Sequence, residues 1–266
     1  KDIPQLVELV NAQYARKKTP AYFTWQFFDP YYPTICMGAF DRDTLVGMFG
    51  LQRRMLTNGT AIGHLIDLLV DPRWRGKGIF SELANQSLGY FKDLRAFSVL
   101  PNGYGKTACE RLGFRTIAKI DDLVLIKKKY LEPKEIPTLP IPSLAYVAND
   151  AYRVWRFEKN PTYRYETVQD NVMKIFTDPV TGEKFGDIVE YQKNPIPAVD
   201  SFFDRNIDQV STWALPHSPF FPFLQQTGFA SLPRERYFCI KILEQKLDSL
   251  YDITHWRLVP ADAELY

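Results

Sequence analysis

Cysteine and histidine are scarce in this chain of 266 residues. The three cysteines, Cys36, Cys109 and Cys239, lie far apart and form no CxxC pair, so the sequence predicts neither a zinc cluster nor a disulfide framework. His217 and His255 are isolated from each other and from any acidic cluster, so we expect no metal site. This cysteine usage favours a reducing compartment.

An excess of charge of one sign is also lacking. The formal net charge of +2 gives no general reason to expect nucleic acid or an anionic membrane as a partner, so any anion site should be local. No apolar run approaches the roughly 20 residues that span a bilayer, and no signal peptide begins the chain. We therefore expect a cytoplasmic protein. The composition, 45% hydrophobic and 15% aromatic, is that of a folded chain.

Hydrophobic periodicity predicts a mixed α and β domain over residues 1–130. The expected elements are a helix in "DIPQLVELVNAQYAR", a hairpin in "TICMGAFDRDTLVGMFGLQRRML", a buried strand in "IGHLIDLLV", a helix over 78–91, a strand "AFSVL", a loop "PNGYGKT", a helix "ACERLG" and one last strand "FRTIAKIDDLVLIKK".

A proline-rich stretch, "YLEPKEIPTLPIPSL", interrupts this pattern and predicts a linker over residues 131–143. A second domain, 144–266, is expected to be mixed α and β as well. Its predicted strands are "NVMKIFTD", "FGDIVEYQ", "VSTWAL", "RYFCIKIL" and "DITHWRLV", with a helix in "PFFPFLQQTG". The segments "ACERLGFRTIAKI" and "FLQQTGFASLPRE" share a helix, a Gly-Phe pair and a strand start, which indicates two related halves.

The stretch "VDPRWRGKGIF", residues 70–80, stands out in a nearly neutral chain. Three cations, Arg73, Arg75 and Lys77, surround Gly76 and Gly78 between the buried strand and the following helix. A helix N-terminus attracts phosphate, and glycine lets the backbone approach it closely. The loop can hold a diphosphate, or it can be a solvent-exposed turn.

Two common phosphate loops do not fit the sequence. "GYGKT" lacks the strand-end glycine of the Walker form, because Leu100 stands at that position. The dinucleotide form needs a third glycine near Ser81 and an early βαβ unit, and neither is present.

The stretch resembles the acetyl-CoA loop, R/Q-x-x-G-x-G/A, of the GCN5-related N-acetyltransferase (GNAT) superfamily. Arg75 begins the motif, Gly78 is its first glycine, and Phe80 replaces the usual small residue. The order of elements over residues 1–130 also resembles that family. The resemblance implies a GNAT fold, an α/β (α+β) mixed sheet, followed by a smaller degenerate GNAT-like domain that lacks the loop.

The same resemblance implies which residues hold acetyl-CoA. Backbone amides of the motif would bind the diphosphate, strand residues would pair with the pantetheine arm, and an Asn after a proline would contact that arm or form a turn. The residues at these positions are Leu68, Val70, Arg75, Gly76, Lys77, Gly78, Ile79, Phe80 and Asn102.

Few residues are candidates for a catalytic role. Cys109 stands where many family members carry a tyrosine that serves as general acid; nearby Tyr104 can substitute for it or simply pack. Asp67 is a carboxylate in an apolar strand, so it either activates or orients the amine or pairs with an arginine. His64 has a suitable pKa, but strand alternation places positions 64 and 67 on opposite faces. A thiolate intermediate at Cys109 is a further alternative.

The function implied is acyl transfer, most simply of acetyl from acetyl-CoA, to the amine of a small molecule such as an amino sugar by direct attack. The aromatic segments "AYFTWQFFDPYYP" and "WALPHSPFFPF" can line an acceptor cleft or form the core between the halves. The alternatives are a CoA-binding or structural protein without transferase activity, and aminoacyl transfer from tRNA, which the near-neutral charge disfavours. We expect neither a nucleic-acid nor a membrane partner.

Overall fold

The structure, a computed structural model, describes residues 2–14, 17–133, 135–136, 143–178, 181–192 and 194–263. The strands form two mixed sheets of six strands each, which agrees with the predicted α/β class. Much of the predicted linker, residues 134 and 137–142, lies outside the described residues. None of the helices within the described ranges combines the length and hydropathy of a membrane-spanning segment.

The first sheet has the strand order β1-β2-β3-β4-β12-β5. Its strands are β1 (Thr34–Asp41), β2 (Thr44–Met55), β3 (Ala61–Val70), β4 (Ala96–Val99), β5 (Arg115–Lys119) and β12 (Tyr237–Ile242). The helices beside it are α1 (Ile3–Asn11), α2 (Pro20–Phe23), α3 (Ile79–Leu88) and α4 (Gly103–Arg111).

The second sheet has the strand order β11-β6-β10-β9-β8-β7. Its strands are β6 (Asp121–Ile126), β7 (Glu166–Val168), β8 (Asn171–Thr177), β9 (Lys184–Glu190), β10 (Gln209–Ala214) and β11 (Ala230–Leu232). Its helices are α5 (Asp150–Arg153), α6 (Ile196–Asp204) and α7 (Phe220–Gln226). Both units follow the same order of helix, three strands, helix, strand, helix and strand, so the predicted relation between the halves is present.

The two halves exchange a strand. The prediction of a single last strand in "FRTIAKIDDLVLIKK" is wrong, because the chain leaves the first sheet at Ile120 and β6 pairs with β10 and β11 of the second. In return β12 pairs with β4 and β5 of the first sheet. Burial explains the crossing, since Leu123 and Leu125 are fully buried in the core of the second half. Neither sheet therefore ends at the predicted boundary near residue 130.

Strands β3 and β4 diverge in the first sheet. Their parallel pairing covers Gly63↔Phe97 to Leu65↔Val99, whereas β3 continues to Val70. The register of β3 with β2 shifts between Met48 and Gly50, and Asp67, at φ +46, lies within the bulge. This opening between two strands creates the space for the site.

A repeated motif, A-Y-x-x-W-x-F, joins the halves. Residues 21–27 and 151–157 each form a short α-helix that continues as one turn of π-helix. The indoles of Trp25 and Trp155 stack with centroids 4.4 Å apart and lie in one core cluster. The rings of the first aromatic segment thus belong mostly to the core between the halves. Those of "WALPHSPFFPF" are also largely buried, with Trp213 at 0% exposure.

Some predicted elements differ locally. The predicted loop "PNGYGKT" is mostly helix, since α4 begins at Gly103 with Asn102 as its N-cap. The predicted strand "DITHWRLV" is wrong: a short 3₁₀ turn and extended chain replace it. Helix α6 was not predicted, because Pro195 and Pro197 gave a loop-like signal although proline is tolerated in a first turn.

Candidate active site

The glycine loop has the backbone shape of an anion cradle. Gly76 and Gly78 have φ of +77 and +80, and a Cβ added at either would meet nothing within 4 Å. Gly78 is the N-cap of α3 and provides no side-chain cap. The first amides of a helix have no intrahelical acceptor, so those of α3 are available to phosphate oxygens. The residues present therefore fit a diphosphate.

The cations of the loop hold its shape. The guanidinium of Arg73 donates to the Asp71 carboxylate at 2.7 Å, and this bond lowers the pKa of Asp71 to about 2. Arg75 donates from Nε to the Val70 carbonyl at 3.1 Å and from Nη2 to Gln13 at 2.8 Å. Lys77 Nζ lies 4.0 Å from the centroid of the Trp74 ring. These contacts leave phosphate binding chiefly to the backbone amides.

The bond from Arg75 to the Val70 carbonyl bears on the prediction that Leu68 and Val70 pair with a pantetheine arm. The Val70 carbonyl, expected to pair with a pantetheine arm, already accepts the Arg75 bond. Leu68 is half-buried and lies on the wall of the cavity described below. Of the two predicted strand positions, Leu68 is thus the one that faces open space.

Phe80 has a structural reason to replace the usual small residue. Its ring packs against the core of the first half, with its centroid 5.9 Å from that of Phe49. The side chain therefore fills the space between helix α3 and the sheet. Its backbone stays in the first turn of α3, where the anion cradle needs only an amide.

A cavity of about 490 Å³ lies at the opening between β3 and β4. Both halves contribute to its wall. The lining residues are Val10, Tyr14, Lys18, Met48, Leu65, Asp67, Leu68, Leu69, Val99, Leu100, Pro101, Asn102, Gly105, Tyr163, Arg234, Glu235 and Arg236. The cavity thus joins the predicted catalytic aspartate to the predicted Asn102.

Asp67 is the acidic residue that the first half contributes to the cavity wall. The bulge turns its side chain toward the cavity, where Tyr14 also lies. Burial raises the pKa of Tyr14, and the negative charge of Asp67 adds to the shift. Burial also raises the pKa of Cys36 to about 12, again with a contribution from Asp67. Tyr14 is therefore protonated at neutral pH and can donate a proton in this cavity.

His64 does not face the cavity. It is fully buried, and its Nδ1 lies 3.0 Å from Ser98 Oγ and 3.1 Å from the Tyr146 hydroxyl. The expectation that at most one of positions 64 and 67 faces the acceptor agrees with this arrangement. Strand alternation alone did not anticipate the bulge at Asp67.

Neither Tyr104, the candidate for the missing acid, nor Cys109, the candidate nucleophile, is brought to the cavity. Tyr104 is 95% exposed and is not part of the lining. Cys109 is fully buried in the core, and burial raises its pKa to about 12, so its thiol stays protonated and a thiolate nucleophile is disfavoured. Asn102 accepts from Gly105 N at 2.9 Å, which is the turn-forming role, while it also borders the cavity.

The corresponding place in the second half is closed. Register relates "GHLID" of β3 to "GDIVE" of β9, so Glu190 is the counterpart of Asp67. The Glu190 carboxylate is buried and bonded to Arg153 at 2.7 Å. Tyr191 donates to the Trp213 carbonyl at 3.1 Å across the β9–β10 opening. The cavity beside Glu190 has a volume of only about 30 Å³.

Several lining residues were missed from the sequence: Tyr14, Lys18, Tyr163, Arg234, Glu235 and Arg236. Their positions depend on how the halves pack, and their local sequence carries no motif. The only signal was the charged run "RER", whose last residue begins a predicted strand. Among the described residues, no three His, Cys, Asp or Glu side chains come together in a way that could hold a metal ion.

A comparison with protein families matches the N-terminal part of the chain. Residues 1–115 match the model of the acetyltransferase (GNAT) domain. These residues, which make up less than half of the chain, form a GNAT acetyltransferase domain. This domain assigns the chain to the acetyltransferase class of enzymes. A comparison of the sequence with curated proteins finds no match.

Solved structures share the fold over both halves. A conserved protein of Enterococcus faecalis V583, described as a probable N-acyltransferase, has a TM-score of 0.60 at 11% identity, covering 93% of this chain and 72% of its own. A GCN5-related N-acetyltransferase of Kribbella flavida has a TM-score of 0.57 at 10% identity, covering 91% and 69%. A fungal glucosamine N-acetyltransferase region of a multi-domain β-N-acetylglucosaminidase has a TM-score of 0.57 at 12% identity, covering 90% and 37%.

Proposed function

We propose that the chain transfers an acetyl group from acetyl-CoA to the primary amine of a small molecule. The observation that carries the proposal is the continuous cavity that begins at the β3–β4 opening and contains Asp67. Acetyl-CoA supplies an activated thioester. The glycine loop and the first turn of α3 would hold its diphosphate, and Leu68 and Asn102 would border the pantetheine arm.

Asp67 receives the amine. Its carboxylate takes a proton from the ammonium form or orients the neutral amine for direct attack on the thioester. Tyr14, on the same wall, is protonated at neutral pH and would give its proton to the sulfur as the carbon–sulfur bond of the thioester breaks. Tyr104 has no part in this scheme because it lies outside the cavity wall.

An amino sugar is the proposed acceptor class. The cavity of about 490 Å³ is wide enough for a sugar ring next to the end of a pantetheine arm. The fungal relative, whose fold this chain shares, is a glucosamine N-acetyltransferase region. The cytoplasmic location and the absence of nucleic-acid and membrane partners stay predictions.

Calorimetric titration with acetyl-CoA, followed by turnover on a panel of amines, tests the proposal. We expect 1:1 binding and release of free CoA with at least one amino sugar. Absence of acetyl-CoA binding would refute the proposal. Binding without turnover on any amine would instead support a CoA-binding protein that has lost the reaction.

A further inference from the structure

Three cations line the cavity, and they come from two distant parts of the chain. Lys18 belongs to the connection between α1 and α2, whereas Arg234 and Arg236 belong to the connection between β11 and β12. None of them is part of the glycine loop that holds a diphosphate. We propose that the acceptor is an amine that also carries an acidic group, a carboxylate or a phosphate, bound by these three cations. The inference rests on the proposed function.

Arg236 is held in a fixed position at this wall. Its side chain is 14% exposed, its Nε lies 3.4 Å from Asp122, and its guanidinium lies 4.5 Å from the centroid of the Trp213 ring. A guanidinium fixed by a carboxylate below it and an aromatic face beside it loses little freedom when it binds an anion. Arg236 is therefore a preorganised anion ligand.

Asp122 serves two arginines at once. It is 4% exposed, and Arg234 lies 3.4 Å from its second oxygen. One carboxylate between two guanidinium groups neutralises only part of their charge. The Arg234 side chain is 63% exposed and can follow a ligand in the cavity.

Lys18 is the third cation of the cavity wall, and it belongs to the first half. Its Nζ lies 3.6 Å from the centroid of the Tyr22 ring, a contact that holds the ammonium at the cavity. An anion between Lys18 and the arginines would bridge the two halves.

The cavity wall also contains two acidic residues, Asp67 and Glu235. Asp67 is at the bulge of β3 and is assigned to the amine. The Glu235 carboxylate lies against Gly103, the first residue of α4, where the helix dipole favours a negative charge. Asp67 and the three cations line one cavity, so a dipolar acceptor can place its ammonium at Asp67 and its acidic group at the cations.

Matched amines test the substrate class. Glucosamine, glucosamine 6-phosphate and 2-amino-2-deoxyglucuronate differ only in the group at one position, and their turnover is compared at constant ionic strength. We expect kcat/KM to be about 10- to 100-fold higher for one of the acidic amines, as for one or two charge-assisted hydrogen bonds. The phosphate and carboxylate arms then identify the acidic group.

Variants test the residues. Arg234→Gln and Lys18→Gln should each raise KM for the preferred acidic amine about tenfold. The loss for the acidic amine should exceed any loss for glucosamine, and the Kd of acetyl-CoA should change little. Arg236→Gln should act in the same way, with the loss of its bond to Asp122 checked by thermal unfolding. Arg95→Gln, which removes an exposed pair with Glu244, is the control.

Two failures are distinguishable. If glucosamine and both acidic amines are used equally well, the proposed function stands and the acidic acceptor is refuted. If acetyl-CoA binds but no amine of any kind is acetylated, both are refuted. A weaker acetyl-CoA affinity in Arg234→Gln would assign the cations to the donor and would also overturn the inference.

Discussion

Trp25 and Trp155 hold each other across the two halves of the chain. Their rings stack at 4.4 Å, Trp25 Nε1 donates to the Trp155 carbonyl at 3.0 Å, and Trp155 Nε1 donates to the Asp29 carbonyl at 3.0 Å. The two donors are equivalent residues of a repeated motif, and the acceptor Asp29 lies two residues after the first copy. The site therefore depends on a junction that lies outside it.

Removal of one indole should destabilise the whole protein. Trp155→Ala leaves a cavity in a buried stack and removes one hydrogen bond, so we expect a loss of about 3–5 kcal/mol in unfolding free energy. Urea denaturation monitored by circular dichroism measures it. Phe28→Ala, at a ring that is 62% exposed, should change the free energy by less than about 1 kcal/mol. Equal losses in the two variants would contradict the importance of the stack.

Gly78→Glu should abolish acetyl-CoA binding. The side chain would bring a negative charge to the anion cradle and would strain a residue at φ +80 by roughly 1–2 kcal/mol. Gly59→Glu is the matched control, because Gly59 has φ +82 and also has nothing within 4 Å of an added Cβ. Calorimetry should show binding lost only at Gly78. Retained affinity there would mean that the loop is misassigned.

Asp67→Asn should lower turnover more than it lowers donor affinity. Loss of a general base typically costs about 10²- to 10⁴-fold in rate, whereas the amide keeps the size of the side chain. The measurement is kcat together with the Kd of acetyl-CoA. Asp93→Asn, at an exposed carboxylate paired with Arg53, provides the control. An unchanged kcat would remove Asp67 from the catalytic group.

Cys109→Ala should leave acetyl transfer within about twofold of the wild-type rate, because a thiol buried in the core has no access to the substrate. Burial raises its pKa to about 12, so it carries no thiolate at neutral pH. Mass spectrometry of the enzyme quenched during turnover should detect no acyl adduct on this residue. An acetylated Cys109 would instead indicate a covalent route.

The unfolding free energy should fall as the pH rises from about 4 to about 6. Burial raises the pKa of Asp262 to about 6, above its value in the unfolded chain. Between these values the folded carboxyl keeps its proton while the unfolded one is ionised, so a higher pH favours unfolding. The expected change is about 2–3 kcal/mol, and it is complete about one pH unit above the folded-state pKa of about 6. Burial raises the pKa of Glu190 as well, which acts in the same direction.

Asp262→Asn tests this assignment. Urea unfolding at several pH values should show a shallower slope between pH 4 and 6 than in the wild type. Part of the slope should stay, because Glu190 is unchanged. An identical slope in both proteins would contradict the raised pKa of Asp262.

The glycine loop was predictable because its requirement is local. Gly76 and Gly78 need positive φ, and the helix that follows them is visible in the sequence. The repeated A-Y-x-x-W-x-F motif was also present in the sequence. Hydrophobic periodicity does not reveal it, because a turn of π-helix has neither the period of an α-helix nor that of a strand.

The cavity wall could not be predicted in the same way. Arg234 and Arg236 reach the site of Asp67 only because β12 enters the first sheet between β4 and β5. No periodicity of a single strand encodes such a partner choice, since β6 and β12 have the same pattern and the same place in their respective units. The sheet topology therefore determines which charges meet the acceptor.

The exchanged strands also set the order of events during synthesis. On the ribosome, β4 and β5 are complete long before residues 237–242 are made, and the place between them must wait for β12. Contacts of such large sequence separation slow folding and leave strand edges open in the meantime. The loop that would hold the donor is thus made early, whereas the sheet that supports it is finished only when nearly all of these 266 residues exist.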